Sequence, residues 1–212
     1  MDIHENIVNG SVVLKDRLIE NEHLKLDNKK IHYFLSSGLT VRNCTLVLKV
    51  SARALFFREV HFVGCTFEVK QELKNHQDWV FASLEGCRFK GRFTGCDFGH
   101  WPEYPRAQHG FIKDCDFSEA RLDGCRFMGC DERTLRFPKW PCFTFLDPVG
   151  HAAVLEAAPW PKAFAEVIID DLRNLPPRTR ALTLSAPDEA RRYDTTPEAL
   201  RAVIERFDCI VY

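Results

Sequence analysis

A Cys-x-Phe/Leu triplet recurs through the middle of this chain, as Cys44-Thr45-Leu46, Cys65-Thr66-Phe67, Cys87-Arg88-Phe89, Cys96-Asp97-Phe98, Cys115-Asp116-Phe117 and Cys125-Arg126-Phe127. Ala120-Arg121-Leu122 completes an unbroken series of five-residue steps from 115 to 127. Repetition of this kind specifies an architecture and not an active site. With the large apolar residue as the centre of each pentad, centres fall at Phe57, Phe62 and Phe67, at Leu84 and Phe89, at Phe93 and Phe98, and at Ile112, Phe117, Leu122 and Phe127. Two positions before each centre stands a smaller residue, among them Val60, Cys65, Ala82, Cys87, Gly91, Cys96, Cys115, Ala120 and Cys125. A longer period is superimposed, because Cys44, Cys65 and Cys87 are 21 and 22 residues apart. If each coil of chain has about four short faces, residues one coil apart stack at the strand spacing of about 4.8 Å, large and small alternating along a narrow axis.

On these residues the chain resembles the pentapeptide-repeat family, whose pattern is roughly Ala/Cys-Asp/Asn-Leu/Phe-x-x. The match is best from Cys115 to Phe127 and covers about residues 40 to 130. The resemblance implies a mainly β fold, a right-handed four-sided β-helix. The pattern is irregular: the step from Phe89 to Phe93 is four residues, and residues 70 to 78 and 99 to 109 interrupt it. We therefore expect three parts. Residues 1 to 40, with short apolar groups and turns such as Asn9-Gly10 and Asp27-Asn28, form strands that begin or cap the coil. Residues 41 to 140 form the β-helix. Residues 141 to 212 change to alternating helix and strand, a small α/β C-terminal module: helices opening at Asp147-Pro148, Pro161 and Thr196-Pro197, and strands at Leu182-Thr183-Leu184 and Cys209-Ile210-Val211-Tyr212.

The formal charge of -1 on 212 residues gives no large field of either sign, so no nucleic-acid footprint is signalled. Within residues 41 to 130 the balance is 13 Lys/Arg against 11 Asp/Glu. No stretch approaches the roughly 20 apolar residues of a membrane span, and the start lacks a signal-peptide layout, so a cytoplasmic protein is expected. Nine cysteines, mostly two residues before a large apolar side chain, read as reduced, buried small residues instead of disulfide partners.

Few residues point to chemistry. Cys96-x3-His100 with Cys125-x4-Cys130 is the best metal-ligand set, but two of its members occupy inward repeat positions, and no metal or other cofactor is expected. Asp97-Phe98-Gly99 matches a kinase element with none of its companions. No nucleophile elbow is present, and we expect no enzyme. The interruptions differ in kind. Trp101, Tyr104 and Arg106 lie on one, and His76 and Trp79 on the other, residue types enriched at binding hot spots and placed on loops a coil would project outward. The alternative is that Trp101 and Tyr104 cover a side of the coil. The Lys139-Trp140-Pro141 junction carries the same ambiguity. The acidic pairs Asp170-Asp171 and Asp188-Glu189 are further candidate contacts. Arg88, Arg92, Arg121 and Arg126 face outward, interspersed with Asp97, Asp116 and Asp123 as a mixed solvated face.

The family resemblance implies non-enzymatic roles. Some members imitate duplex DNA to protect topoisomerases such as gyrase, which needs a long, regular, strongly negative coil. The short, interrupted and near-neutral coil here fits better a protein-binding scaffold, by fold-level analogy a bacterial immunity protein that binds a cognate toxin.

Overall fold

The computed structural model describes residues 7–102 and 110–212. The chain is mainly β and winds as a parallel-strand solenoid of about four turns. A short strand, β1 (Ile7–Val8), pairs antiparallel with β2 (Ser11–Leu14), the first strand of the coil, which continues through β3 (Arg17–Glu20) and β4 (His23–Leu26). The next turn comprises β5 (His32–Leu35), β6 (Leu39–Arg42) and β7 (Thr45–Leu48), and the third comprises β8 (Leu55–Phe57), β9 (Val60–Val63) and β10 (Thr66–Lys74). Then follow β11 (Ala82–Glu85), β12 (Arg88–Thr94) and β13 (Asp97–Gly99), and finally β14 (Phe111–Lys113), β15 (Asp116–Asp123) and β16 (Cys125–Met128). Three parallel sheets result, with strand orders β2-β5-β8, β3-β6-β9-β11-β14 and β4-β7-β10-β12-β15.

Two features sharpen the sequence expectation. The strands before residue 41 are rungs of the ladder itself, since Ser11 lies opposite His32, Arg17 opposite Leu39 and His23 opposite Thr45. Each early turn has three strands and a connecting segment; β13 and β16 supply a fourth strand only later.

The corner between the second and third sheets explains the triplet. The residue before each cysteine has a left-handed backbone: Asn43, Gly64, Gly86 and Asp114 have φ of 52°, 62°, 61° and 53°. Asn, Asp and Gly tolerate that conformation better than other residues. The following Cys44, Cys65, Cys87 and Cys115 turn inward, and each thiol donates to a carbonyl of the preceding turn: Ile19 at 3.6 Å, Val41 at 3.2 Å, Phe62 at 3.5 Å and Leu84 at 3.7 Å. A second column repeats the device, with Gly95 before Cys96 and Gly124 before Cys125. Gly91 replaces cysteine where the chain passes so close that a Cβ would lie 2.2 Å from the Val69 carbonyl oxygen.

The pentad centres fill the axis. All eleven, from Phe57 to Phe127, are buried. Phe89 stacks on Phe67 at 5.0 Å and on Phe117 at 4.3 Å, nearly parallel to both, because Phe67 and Phe89 are register partners and β12 in turn pairs with β15. Phe98 stacks likewise on Phe127 at 5.3 Å.

Beyond the coil come β17 (Cys142–Leu146), α1 (Ala152–Glu156), α2 (Lys162–Phe164) running into a π turn (Ala165–Ile169), β18 (Thr179–Ser185), α3 (Ala186–Arg192), α4 (Pro197–Ile204) and β19 (Ile210–Val211). β18 pairs antiparallel with β16, β17 antiparallel with β18 and β19 antiparallel with β17, giving the order β13-β16-β18-β17-β19, so this segment shares a sheet with the coil. A second core, including Phe143, Phe145, Leu155, Trp160, Phe164 and Leu200, packs there. Thr196 caps α4 by accepting the Ala199 amide, with Pro197 in the first turn as expected. The helix expected from Pro161 breaks into short pieces around the β-branched run Val167-Ile168-Ile169, which has low helix propensity. Among the described residues no helix is long and apolar enough to cross a membrane.

Replacing Phe89 by Ala removes a ring stacked on both sides, and we predict a loss of about 3–5 kcal/mol in a denaturant titration. A loss below about 1 kcal/mol would mean that the axis is not packed as described.

Candidate functional site

Interruptions of the repeat are where the chain leaves the ladder. At the first, β10 runs nine residues and its register with β12 shifts between Val69 and Leu73. The chain then turns back in, and His76 and Trp79 enter the interior, 3% and 0% exposed. The Trp79 ring lies 4.8 Å from Phe57, 5.1 Å from Phe67 and 5.5 Å from Phe98, and His76 meets Phe57 and Trp79 edge-on. Burial drives the His76 pKa down to about 4, so the ring is neutral. These two side chains fill the interior of the coil, Trp79 completely, while His76 also adjoins the groove that opens outside. A widened cross-section needs large rings to close it, which is why aromatic residues stand here.

At the second interruption Trp101, 9% exposed, packs with Val80 and Met128 against the side of the coil. The Arg126 guanidinium lies 5.0 Å above its ring and is held bidentate by buried Asp97 at 2.7 and 2.8 Å. Gly110 rejoins the ladder so closely that a Cβ would lie 2.1 Å from the Val80 carbonyl oxygen. Tyr104 and Arg106 lie outside the described residues. Trp140 at the junction is half-buried beneath Arg201, whose guanidinium is 5.2 Å from the ring.

The two acidic pairs part company. Asp170 and Asp171 are exposed, Asp171 accepting from the Asn174 amide at 3.1 Å. Asp188 and Glu189, expected at the surface, are buried in a charge cluster between α3 and the third sheet. Asp188 accepts from Arg92 at 3.1 Å and Arg121 at 2.9 Å, side chains of β12 and β15, and Arg92 also reaches Glu72 at 2.8 Å. Arg192 joins Glu189 to Asp123, the latter at 3.0 Å, and Asp123 also accepts the Ser185 amide at 3.2 Å. Asp97 and Asp123 are therefore not part of a solvated face. The segment after residue 141 covers Asp123, and Arg126 closes over Asp97.

Among the described residues, grooves open on the outside of the coil. One, of about 570 Å³, runs along the corner column beside Arg88, Asp116, Arg133 and Arg136. Another, of about 850 Å³, opens where β10 leaves the ladder, between Ala52, Arg53 and Phe56 on one side and Gln71, Lys74 and Gln77 on the other. It continues into a row of outward rings, with Phe56 stacked on Phe34 at 4.6 Å and His32 5.9 Å from Phe56. The groove lies at the interruption that the sequence offers as a candidate contact, whereas the row of rings has no counterpart in that reading, although Phe34 and Phe56 stand one 22-residue coil apart and Phe56 adjoins inward Phe57.

The thiols are held in the ladder. Burial pushes the Cys44, Cys125 and Cys142 thiols up, and burial with nearby Glu132 pushes Cys130 up to about 12. Among the described residues no three His, Cys, Asp or Glu side chains converge to hold a metal ion. No protein-family model, curated protein or solved structure matches the chain.

Burial, with repulsion from Asp123, raises the Glu189 pKa to about 8 against the attraction of Arg192. A carboxyl raised in the folded state contributes stability that is complete below its ordinary value and is lost as pH rises through about 8. Between about pH 5 and about pH 9 the wild type should lose more than about 1.4 kcal/mol relative to Glu189→Gln, one unit's worth, in denaturant titrations. Parallel pH profiles for the two proteins would show that Glu189 does not titrate in this way.

Proposed function

We propose that this chain is a non-enzymatic protein-binding scaffold built on a pentapeptide-repeat type of β-helix with an α/β segment at its end. Its role on this reading is that of a bacterial immunity protein that neutralises a cognate toxin by direct binding in the cytoplasm. The observation that carries the reading is the contrast between the inside and the outside of the coil. Inside, thiols and rings are spent on packing, with burial pushing the Cys125 thiol up and leaving the imidazole of His76 neutral. Outside, a groove opens beside a row of aromatic rings, the type of feature that recognises another protein.

Imitation of duplex DNA finds less support. Such a surface must be uniformly negative, whereas outward carboxylates here alternate with cations, as in Lys90 with Glu119 at 2.9 Å and Arg42 with Glu20 at 3.0 Å. Asp97, Asp123 and Asp188, three more carboxylates of the coil and α3, are buried.

Affinity purification of the tagged full chain from its native host, read by mass spectrometry, tests the proposal. A stoichiometric partner that arrests growth when expressed alone, and not when co-expressed with this chain, is the expected result. Recovery of gyrase subunits with no such partner would overturn it.

A further inference from the structure

The groove at the first interruption sets an exposed guanidinium, Arg53, beside a row of stacked rings. We propose that it docks an extended segment of the protein partner in which an aromatic or branched apolar side chain stands within a few residues of a carboxylate. The inference rests on the protein-binding reading above and specifies where and by what chemistry that binding occurs.

Shape comes first. A groove of about 850 Å³ is in the size range that encloses several side chains, and here it is open along one side and continuous with the outer surface of the first sheet. On that surface strand alternation turns Tyr33, Leu35, Leu55 and Phe57 inward and leaves Phe34 and Phe56 outward. The two rings lie 10° from parallel, and His32 leans on both, 6.4 Å from Phe34 and 5.9 Å from Phe56. Both phenylalanines are half-buried while His32 is exposed. A ring or branched side chain laid on this row gains dispersion and sheds water on both sides.

Charge then selects the occupant. The groove has two carboxylates of its own, and both are neutralised from within the chain. Glu72 accepts the Thr94 hydroxyl at 2.7 Å and pairs with Arg92 at 2.8 Å and Lys74 at 3.3 Å. Asp78 accepts the Phe57 amide at 3.1 Å and pairs with Arg58 at 2.8 Å. Arg53, by contrast, stands exposed on the turn Ala52–Ala54 beside Phe56 and makes no ion pair among the described residues. The uncompensated charge at the mouth of the groove is therefore a guanidinium, which favours a partner carboxylate by bidentate pairing. The Gln71 amide on the opposite wall can both donate to and accept from an extended backbone. A guanidinium without an ion pair among the described residues, set beside stacked rings, suits a peptide better than a nucleic-acid strand, which would need several phosphate contacts.

Selection of a phage-displayed random-peptide library on the immobilised full chain tests the assignment. Enriched sequences should pair Phe, Tyr, Trp, Leu or Ile with Asp or Glu, and a fluorescein-labelled enriched peptide should bind in an anisotropy titration. Its affinity should fall at least about tenfold in Arg53→Glu and in Phe56→Ser, and stay unchanged in Lys113→Glu on the second sheet. Arg53→Glu sits on an exposed turn and retains the fold, and circular dichroism with thermal melting checks Phe56→Ser. Three results would overturn the groove: no enrichment, enriched peptides without the apolar-acidic pairing, or binding insensitive to both groove variants. Tighter, Arg53-dependent binding of a single-stranded oligonucleotide than of any peptide would overturn the peptide assignment. None of these results bears on whether a growth-arresting partner co-purifies, so failure of the groove and failure of the immunity reading are separable.

Discussion

Everything in this molecule depends on the chain turning the same corner on every circuit. A parallel solenoid is held by backbone hydrogen bonds between successive turns, and those bonds form only if each turn returns at the strand spacing with the same register. The left-handed residue at Asn43, Gly64, Gly86 and Asp114 fixes where the strand ends, and the cysteine after it fixes which way the chain enters the next. Cysteine suits that position for two reasons. Its side chain is small enough to sit beside a phenylalanine on a narrow axis, and its thiol is a weak donor that meets the carbonyl of the turn below. Alanine would supply the size without the donor, and serine would add a stronger polar group that demands a better partner.

A repeating axis has ends, and ends expose unpaired strand and apolar core. The later end is closed by continuing the sheet: β18 adds antiparallel to β16 and β17 antiparallel to β18, and α3 lies over the third sheet. What ties α3 down is charge. Asp188 reaches Arg92 and Arg121 from neighbouring strands at once, so it spans two turns of the coil, and Arg192 does the reverse between Asp123 and Glu189. Such a cluster costs desolvation that its pairing must offset. The raised Glu189 pKa reflects incomplete compensation: two carboxylates share one guanidinium, and the more deeply buried of them holds its proton.

The coil was legible in the sequence because its rule is local and repeated. Centres such as Phe89 and Phe117, and small positions such as Cys87, are determined by five-residue spacing alone, and all were found inside. The left-handed column was equally present in the letters, as Asn, Gly or Asp before each cysteine, but its meaning appears only once the backbone is seen to turn there. The strands before residue 41 lack the Cys-x-Phe signature, so the letters alone leave open whether they begin the coil or cap it, yet Leu24 and Leu46 occupy the same column as Phe67. Pairings over long separations were not legible. Arg92 and Asp188 are 96 residues apart, and no spacing rule joins them, so an interior salt cluster read as an acidic surface pair.

The same physics explains why the interruptions mattered in a different way from the one their composition suggested. Aromatic residues in a break invite a reading as projecting anchors, but a solenoid that loses register must also keep its interior full. Trp79 and His76 do that filling, and Trp101 seals the flank under Arg126. What a break releases to the outside is space: residues displaced from the ladder no longer cover the neighbouring face. At β10 that space borders an outward pair of rings placed one coil apart by the very periodicity the break disturbs. Regular repeats thus set the aromatic row, and the irregular step opens the groove beside it. Neither alone makes a recognition surface.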